Sequence, residues 1–152
     1  MPLNPKIAQV LDMVERAKRP PYHRQTPQQA RAAYEKSAPI LDVPPAPMHA
    51  VDACTIPTRD GHAIAARLYL PVEPSLAEPL PALVYYHGGG FTVGSIDTHD
   101  ALCRMFARDA RCAVLSVGYR LAPEHRFPTT VNDAEDALRW LHRERPHWAS
   151  TH

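Results

Sequence analysis

Ala82-Leu83-Val84-Tyr85-Tyr86-His87-Gly88-Gly89-Gly90-Phe91 is the stretch that decides how this chain of 152 residues is read. Five apolar residues in a row, with no polar alternation, predict a strand covered by helices on both faces, as in parallel sheets. The run stops at once on a histidine and three glycines. Glycine lacks a Cβ and reaches backbone angles closed to other residues, so three together allow a tight turn that leaves N–H groups bare. Bare amides aimed at one point stabilise the negative charge that develops on a carbonyl oxygen under nucleophilic attack. Gly88, Gly89 and Gly90 are therefore candidate oxyanion-hole residues.

Other uses of a glycine run fail on the letters. A dinucleotide fingerprint, Gly-x-Gly-x-x-Gly, counted from Gly88 and Gly90 needs glycine where Val93 stands. A phosphate-cradling loop could span Gly89 and Gly94, but Ser95 occupies the place of its lysine. No cofactor is expected.

On the amino-terminal side, residues 51–56 and the alternating Ile64, Ala66, Leu68 and Leu70 flank Thr58-Arg59-Asp60-Gly61, which predicts an antiparallel hairpin. Earlier still, Ile7, Val10, Leu11 and Val14 recur at helical spacing until Pro20 and Pro21. Thr26 with Pro27 starts a second helix, expected to run to about Lys36, before Pro39. The proline-rich segment 39–48 reads as a stiff connector. On the carboxyl-terminal side, Ala101, Leu102, Met105 and Phe106 predict a helix, and Ala113-Val114-Leu115-Ser116-Val117 a strand. Val131, Ala134, Ala137, Leu138 and Leu141 predict another helix. The order is an α/β pattern that stops where a further strand is due.

Composition excludes several classes. With 45% hydrophobic and 22% charged residues the chain is of ordinary globular type. The balance of 17 Lys+Arg against 16 Asp+Glu, with no basic run, provides no field for nucleic acid or an anionic membrane. The polar, proline-broken start is unlike a signal peptide, and no apolar run approaches bilayer length, so a cytoplasmic, soluble protein is expected. Cys54, Cys103 and Cys112 match no zinc spacing, and His-Glu-x-x-His is absent, so no metal is expected and the thiols are read as free.

The motifs resemble those of the bacterial hormone-sensitive-lipase-like carboxylesterases, which have the α/β-hydrolase fold. His87-Gly88-Gly89-Gly90-Phe91 is similar to that family's oxyanion motif, Gly94-Ser95-Ile96-Asp97-Thr98-His99-Asp100 to the loop after it, and Tyr119-Arg120-Leu121-Ala122-Pro123-Glu124 to its second signature. The resemblance covers about residues 50–142, and less specifically the two leading helices, which look like the family's cap. It implies a serine-type ester hydrolase for small acyl esters. Gly89 and Gly90 would be the principal donors and Gly88 would shape the turn, with His87, Asp100, Tyr119, Arg120 and Glu124 supporting the loop. Arg120 and Glu124 are expected to pair across Pro123. Gly118 stands where the family often has aspartate, and a local loosening is expected there.

On this reading residues 1–40 are cap helices, and residues 41–152 are the first half of an incomplete α/β-hydrolase core. Ser37, Ser75, Ser95, Ser116 and Ser150 all lack the glycines of a Gly-x-Ser-x-Gly elbow. Gly90-Phe91-Thr92-Val93-Gly94 imitates the spacing, but inside the oxyanion loop. None of the catalytic triad is therefore present, His99, His125, His142 and His147 read as scattered surface histidines, and the chain alone is expected to be inactive. The 82–86 strand is expected between the 113–117 strand and an absent neighbour, leaving a sheet edge open to self-association. Two other classes fit the same letters: a ligand-binding relative that grips a carboxylate without turnover, and one half of a split enzyme.

Overall fold

The computed structural model describes residues 3–75 and 79–144. Helix α1 (Pro5–Arg16) starts where the side chain of Asn4 accepts the N–H of Lys6 at 2.9 Å. Its apolar positions Ile7, Leu11 and Val14 are all more than half exposed, so the helix forms as its periodicity predicts but buries nothing. Helix α2 (Pro27–Leu41) opens on a reciprocal cap: Thr26 Oγ1 accepts from Gln29 N, and Gln29 Oε1 accepts from Thr26 N. The expected stop before Pro39 is corrected, because the helix carries that proline in its last turn. There the missing donor costs a single intrahelical bond.

Strands β1 (Ala50–Pro57) and β2 (Ala63–Leu70) form the expected antiparallel hairpin, with Ile56 opposite Ile64. Its turn closes with Gly61 N donating to Thr58 O at 3.0 Å, Gly61 taking the positive φ of 82° that favours glycine. Strand β3 (Ala82–Tyr86) is followed by helix α3 (Asp100–Ala110), strand β4 (Ala113–Gly118) and helix α4 (Thr129–Glu144). The sheet order is β1-β2-β4-β3, with β4 antiparallel to β2 and parallel to β3.

The period-two alternation sorts the sheet's side chains into two cores. On one face Ile64, Ala66, Leu68 and Leu70 of β2 meet Ala113, Leu115 and Val117 of β4 under Ala137 and Leu141 of α4. On the other, Tyr69 and Val114 pack with Cys103 and Ala107 of α3. β4 is buried on both faces, as an unbroken apolar run demands. β3, at the edge of the described sheet, is only half covered, with Leu83 and Tyr86 more than a third exposed.

Both helices are rotated from what their large apolar residues suggest. α3 buries Ala101, Cys103 and Ala107, and leaves Phe106 39% exposed. α4 buries Asp133, Asp136, Ala137 and Leu141, and leaves Val131 and Leu138 more than half exposed. Small residues let a helix axis approach the sheet closely, and the two aspartates of α4 are buried because arginines meet them there.

Candidate functional site

His87 closes β3 and is 4% exposed. Its ring stacks on Tyr119, centroids 4.3 Å apart, and lies 5.6 Å from the ring of His99. The hydroxyl of Tyr119 donates to the carbonyl oxygen of His87. Nδ1 of His87 stands 2.9 Å from Gly88 O, an acceptor, which assigns the proton to that nitrogen. Burial pushes the imidazole below its ordinary value of 6.5, and the nearby His99 adds to the shift.

A histidine depressed in the folded state binds its proton more readily when unfolded, so its stabilisation is complete above pH 6.5 and declines as pH falls through the depressed value. The melting temperature of this chain should therefore drop more steeply below pH 6.5 than that of His87→Phe, which keeps an aromatic ring on Tyr119. The difference should amount to no more than about 1.4 kcal/mol per pH unit, the limit for one proton. Parallel curves would show that His87 does not titrate with folding.

Beyond His87 the chain turns through Gly89 (φ 132°) and Gly90 (φ 58°), and returns at Gly94 (φ 92°). A Cβ at Gly89 would lie 2.0 Å from Val93 O, and one at Gly94 would lie 2.5 Å from Gly88 O and 2.6 Å from His87 Nδ1. A Cβ at Gly88 or Gly90 would meet nothing within 4 Å. Carbonyl groups in the turn are taken up: Gly89 O accepts from Thr92 N and Val93 N, Gly90 O from Thr92 Oγ1, and Phe91 O from Ala122 N. Among the described hydrogen bonds, none is donated by Gly88, Gly89 or Gly90.

Around this loop the supporting residues divide. Tyr119 touches it directly. Asp100 does not: it starts α3 and accepts from Tyr69 Oη, Arg67 Nη1 and Arg104 Nε, which fastens the segment after the glycines to β2. These three donors hold its carboxyl below the ordinary carboxylate value against the cost of burial.

The expected Arg120–Glu124 pair does not form. Arg120 turns to α4, where the fully buried Asp133 accepts its N–H at 2.9 Å and its Nη2 at 2.6 Å, and Asp60 of the hairpin turn accepts Nη1 at 2.8 Å. A buried carboxylate needs a cation more than an exposed one does, which decides the competition. Glu124 turns the other way, to Arg31 of α2, whose guanidinium holds its carboxyl far below the ordinary value.

The loosening expected at Gly118 is absent too. Ile96 fills the space, its Cδ1 lying 3.2 Å from where a Cβ would stand, and Ala65 O would be at 3.0 Å. His99 is likewise no surface histidine. It is half-buried, stacked against His87 and Tyr34, with Nδ1 2.9 Å from Thr98 Oγ1. His125 is half-buried and His142 exposed, while His147 and Ser150 lie outside the described residues.

Three residues that the sequence did not single out prove central: Arg31, Asp60 and Asp133. Asp133 and Asp136 left a signal, since they share the buried face of α4 with Ala137. No group of three or more acidic, cysteine or histidine side chains capable of holding a metal occurs among the described residues. Nor is any described helix long and apolar enough to cross a membrane.

Residues 83–152 match the family model described as α/β hydrolase fold. The chain is 42% identical over 145 residues to an ethyl acetate hydrolase of Pseudomonas putida, covering 93% of this chain and 46% of that protein. It is 50% identical over 105 residues to the carboxylic ester hydrolase LipN of Mycobacterium tuberculosis, covering 68% of this chain and 27% of that one. Its backbone matches a hyperthermophilic esterase from Pyrobaculum calidifontis with a TM-score of 0.87 at 41% identity, covering 98% of this chain and 46% of that structure. Mixed sheet, crossover helices and glycine loop together define an α/β-hydrolase. Within that fold the chain belongs to the hormone-sensitive-lipase-like family, and it spans less than half the length of the relatives it matches.

Proposed function

We propose that these residues supply the oxyanion-binding half of a serine-type carboxylic ester hydrolase acting on small acyl esters. Gly89 and Gly90 are the principal donors in this reading, Gly88 shapes the turn, and His87 and Tyr119 brace it. Residues 1–40 act as a cap, and residues 41–152 contribute to the catalytic core.

One observation carries the reading: a loop whose carbonyls are bonded inside the fold keeps the N–H groups of three successive glycines undonated at the tip of β3. Such donors stabilise a tetrahedral oxyanion more than a ground-state carbonyl, each by roughly 10²–10³ in rate. The names of the relatives, ethyl acetate hydrolase among them, support the ester class. No serine of the sequence stands in a Gly-x-Ser-x-Gly elbow, so the nucleophile, acid and histidine come from polypeptide outside these residues. The outer edge of β3 can receive the strand that brings them, or a second copy of the chain. The unpaired thiols of Cys54, Cys103 and Cys112 support a reducing cytoplasmic setting.

The test is a chimera in which residues 1–144 are followed by the second half of the Pseudomonas putida ethyl acetate hydrolase. Turnover of p-nitrophenyl acetate well above that of either half alone is expected. A chimera that melts cooperatively but does not hydrolyse the ester, or that binds acetate without turnover, would remove the assignment.

A further inference from the structure

Arg31 reaches from the second turn of α2 to three acceptors on two separate loops. Nε donates to Thr92 O at 2.8 Å, Nη2 to Ala122 O at 2.7 Å and to Glu124 Oε2 at 2.6 Å, and Nη1 to Glu124 Oε1 at 3.0 Å. The two loops are themselves joined, since Ala122 N donates to Phe91 O at 2.8 Å. Successive carbonyls of the glycine turn, at Phe91 and Thr92, are thus each held from outside. Between Gly90 and Thr92, Phe91 sits at φ 60° with its side chain 59% exposed, a left-handed conformation unfavourable for an aromatic residue. A residue held in this way persists only where its surroundings over-determine it. Inside the turn Thr92 N and Val93 N donate to Gly89 O, and the contacts that hold Phe91 and Thr92 from outside it are those made by Arg31 and Ala122.

We propose that Arg31 is a positioning residue, a latch by which helix α2 fixes the shape of the 89–93 turn and so the aim of the glycine amides. A guanidinium suits this task because its donors form a rigid planar fork, able to serve a carboxylate and two carbonyls at once. An ammonium is a point charge on a flexible stem and cannot reach all three together. The latch gives the cap a second role besides covering the core: an α2 displaced from the body releases Thr92 O and Ala122 O simultaneously. Its importance for hydrolysis rests on the oxyanion reading above, whereas the latch itself does not.

The test separates the two. In this chain, amide hydrogen exchange is followed by NMR for wild type, Arg31→Met, Arg31→Lys and Glu124→Gln. The amides of Thr92 and Val93, which donate to Gly89 O, and of Ala122, which donates to Phe91 O, report on the turn. In both Arg31 variants these three should exchange about tenfold faster or more, the scale set by lost charge-assisted bonds. Amides of β4 and α4 should keep their wild-type rates. Glu124→Gln should produce a smaller change, because the bonds to Thr92 O and Ala122 O remain. If Arg31→Lys leaves the three amides at wild-type rates, or speeds only those of α2, Arg31 merely ties a helix to the surface and the proposal fails. Should Arg31→Met not fold, the lysine and glutamine variants decide alone.

In the hydrolytic chimera, Arg31→Lys should lower kcat about tenfold with KM within twofold of wild type, the mark of an interaction made in the transition state. Loosened amides with unchanged kcat would leave the latch standing and overturn the oxyanion reading instead.

Discussion

Replacing Gly89 by alanine is expected to dismantle the glycine turn, lowering stability by about 3 kcal/mol or more. The added Cβ would lie 2.0 Å from Val93 O and 2.6 Å from Val93 C, both backbone atoms that no rotamer change can move aside. The φ of 132° is closed to alanine even without that contact. Relief requires breaking the bonds that Thr92 N and Val93 N make to Gly89 O, which hold the turn closed. Gly88→Ala provides the contrast, because its Cβ would meet nothing within 4 Å and should change stability by less than about 1 kcal/mol. Urea denaturation of both variants measures the difference. In the chimera, Gly89→Ala should cost at least 10²–10³ in kcat, the scale of one lost oxyanion donor. A Gly89→Ala variant as stable as Gly88→Ala would contradict the geometry of the turn.

The second large effect is expected at Asp133, which has no solvent exposure and accepts four bonds from Arg120. Asp133→Ala leaves a guanidinium that is 13% exposed without its main partner, and should cost about 3–5 kcal/mol. Asp60 cannot compensate, since it meets only one end of the guanidinium, at Nη1. Asp133→Asn retains an acceptor for the backbone N–H of Arg120 and should cost less. The double replacement Arg120→Met with Asp133→Leu removes both charges and should recover most of the loss, because burying an ion pair costs desolvation that an apolar pair avoids. Chemical denaturation of wild type and the three variants checks the series. A single Asp133→Ala change worth less than about 1 kcal/mol would mean that the pair is bypassed.

Most of the architecture was legible in the sequence because it is written in short-range terms. Thr26 with Gln29 caps a helix, Asp60-Gly61 turns a hairpin, and the apolar run 113–117 lies buried on both faces, each as local chemistry dictates. The glycine turn was legible for the same reason: Gly89 and Gly94 occupy positions where any side chain collides with backbone.

What could not be read is who pairs with whom at long range. Arg120 had Glu124 four residues away and took Asp133 and Asp60 instead, because burial sets the demand for a counter-charge and sequence spacing does not. Arg31 looked like one more polar residue on a helix face, and its partners stand more than sixty residues away. The facing of α3 and α4 was misleading as well. Large side chains such as Phe106 and Leu138 advertise a core that Ala107 and Ala137 occupy, since small residues let helix and sheet close up.

The strand order has a consequence for synthesis. β3 leaves the ribosome before β4, yet among the described residues β4 is the strand it pairs with, lying between it and β2. At roughly 5–20 residues per second, the apolar segment 82–86 waits on the order of seconds for its neighbour to emerge. During that interval the first hairpin can form, but β3 has no strand to pair with, and its apolar residues depend on cover from outside the sheet.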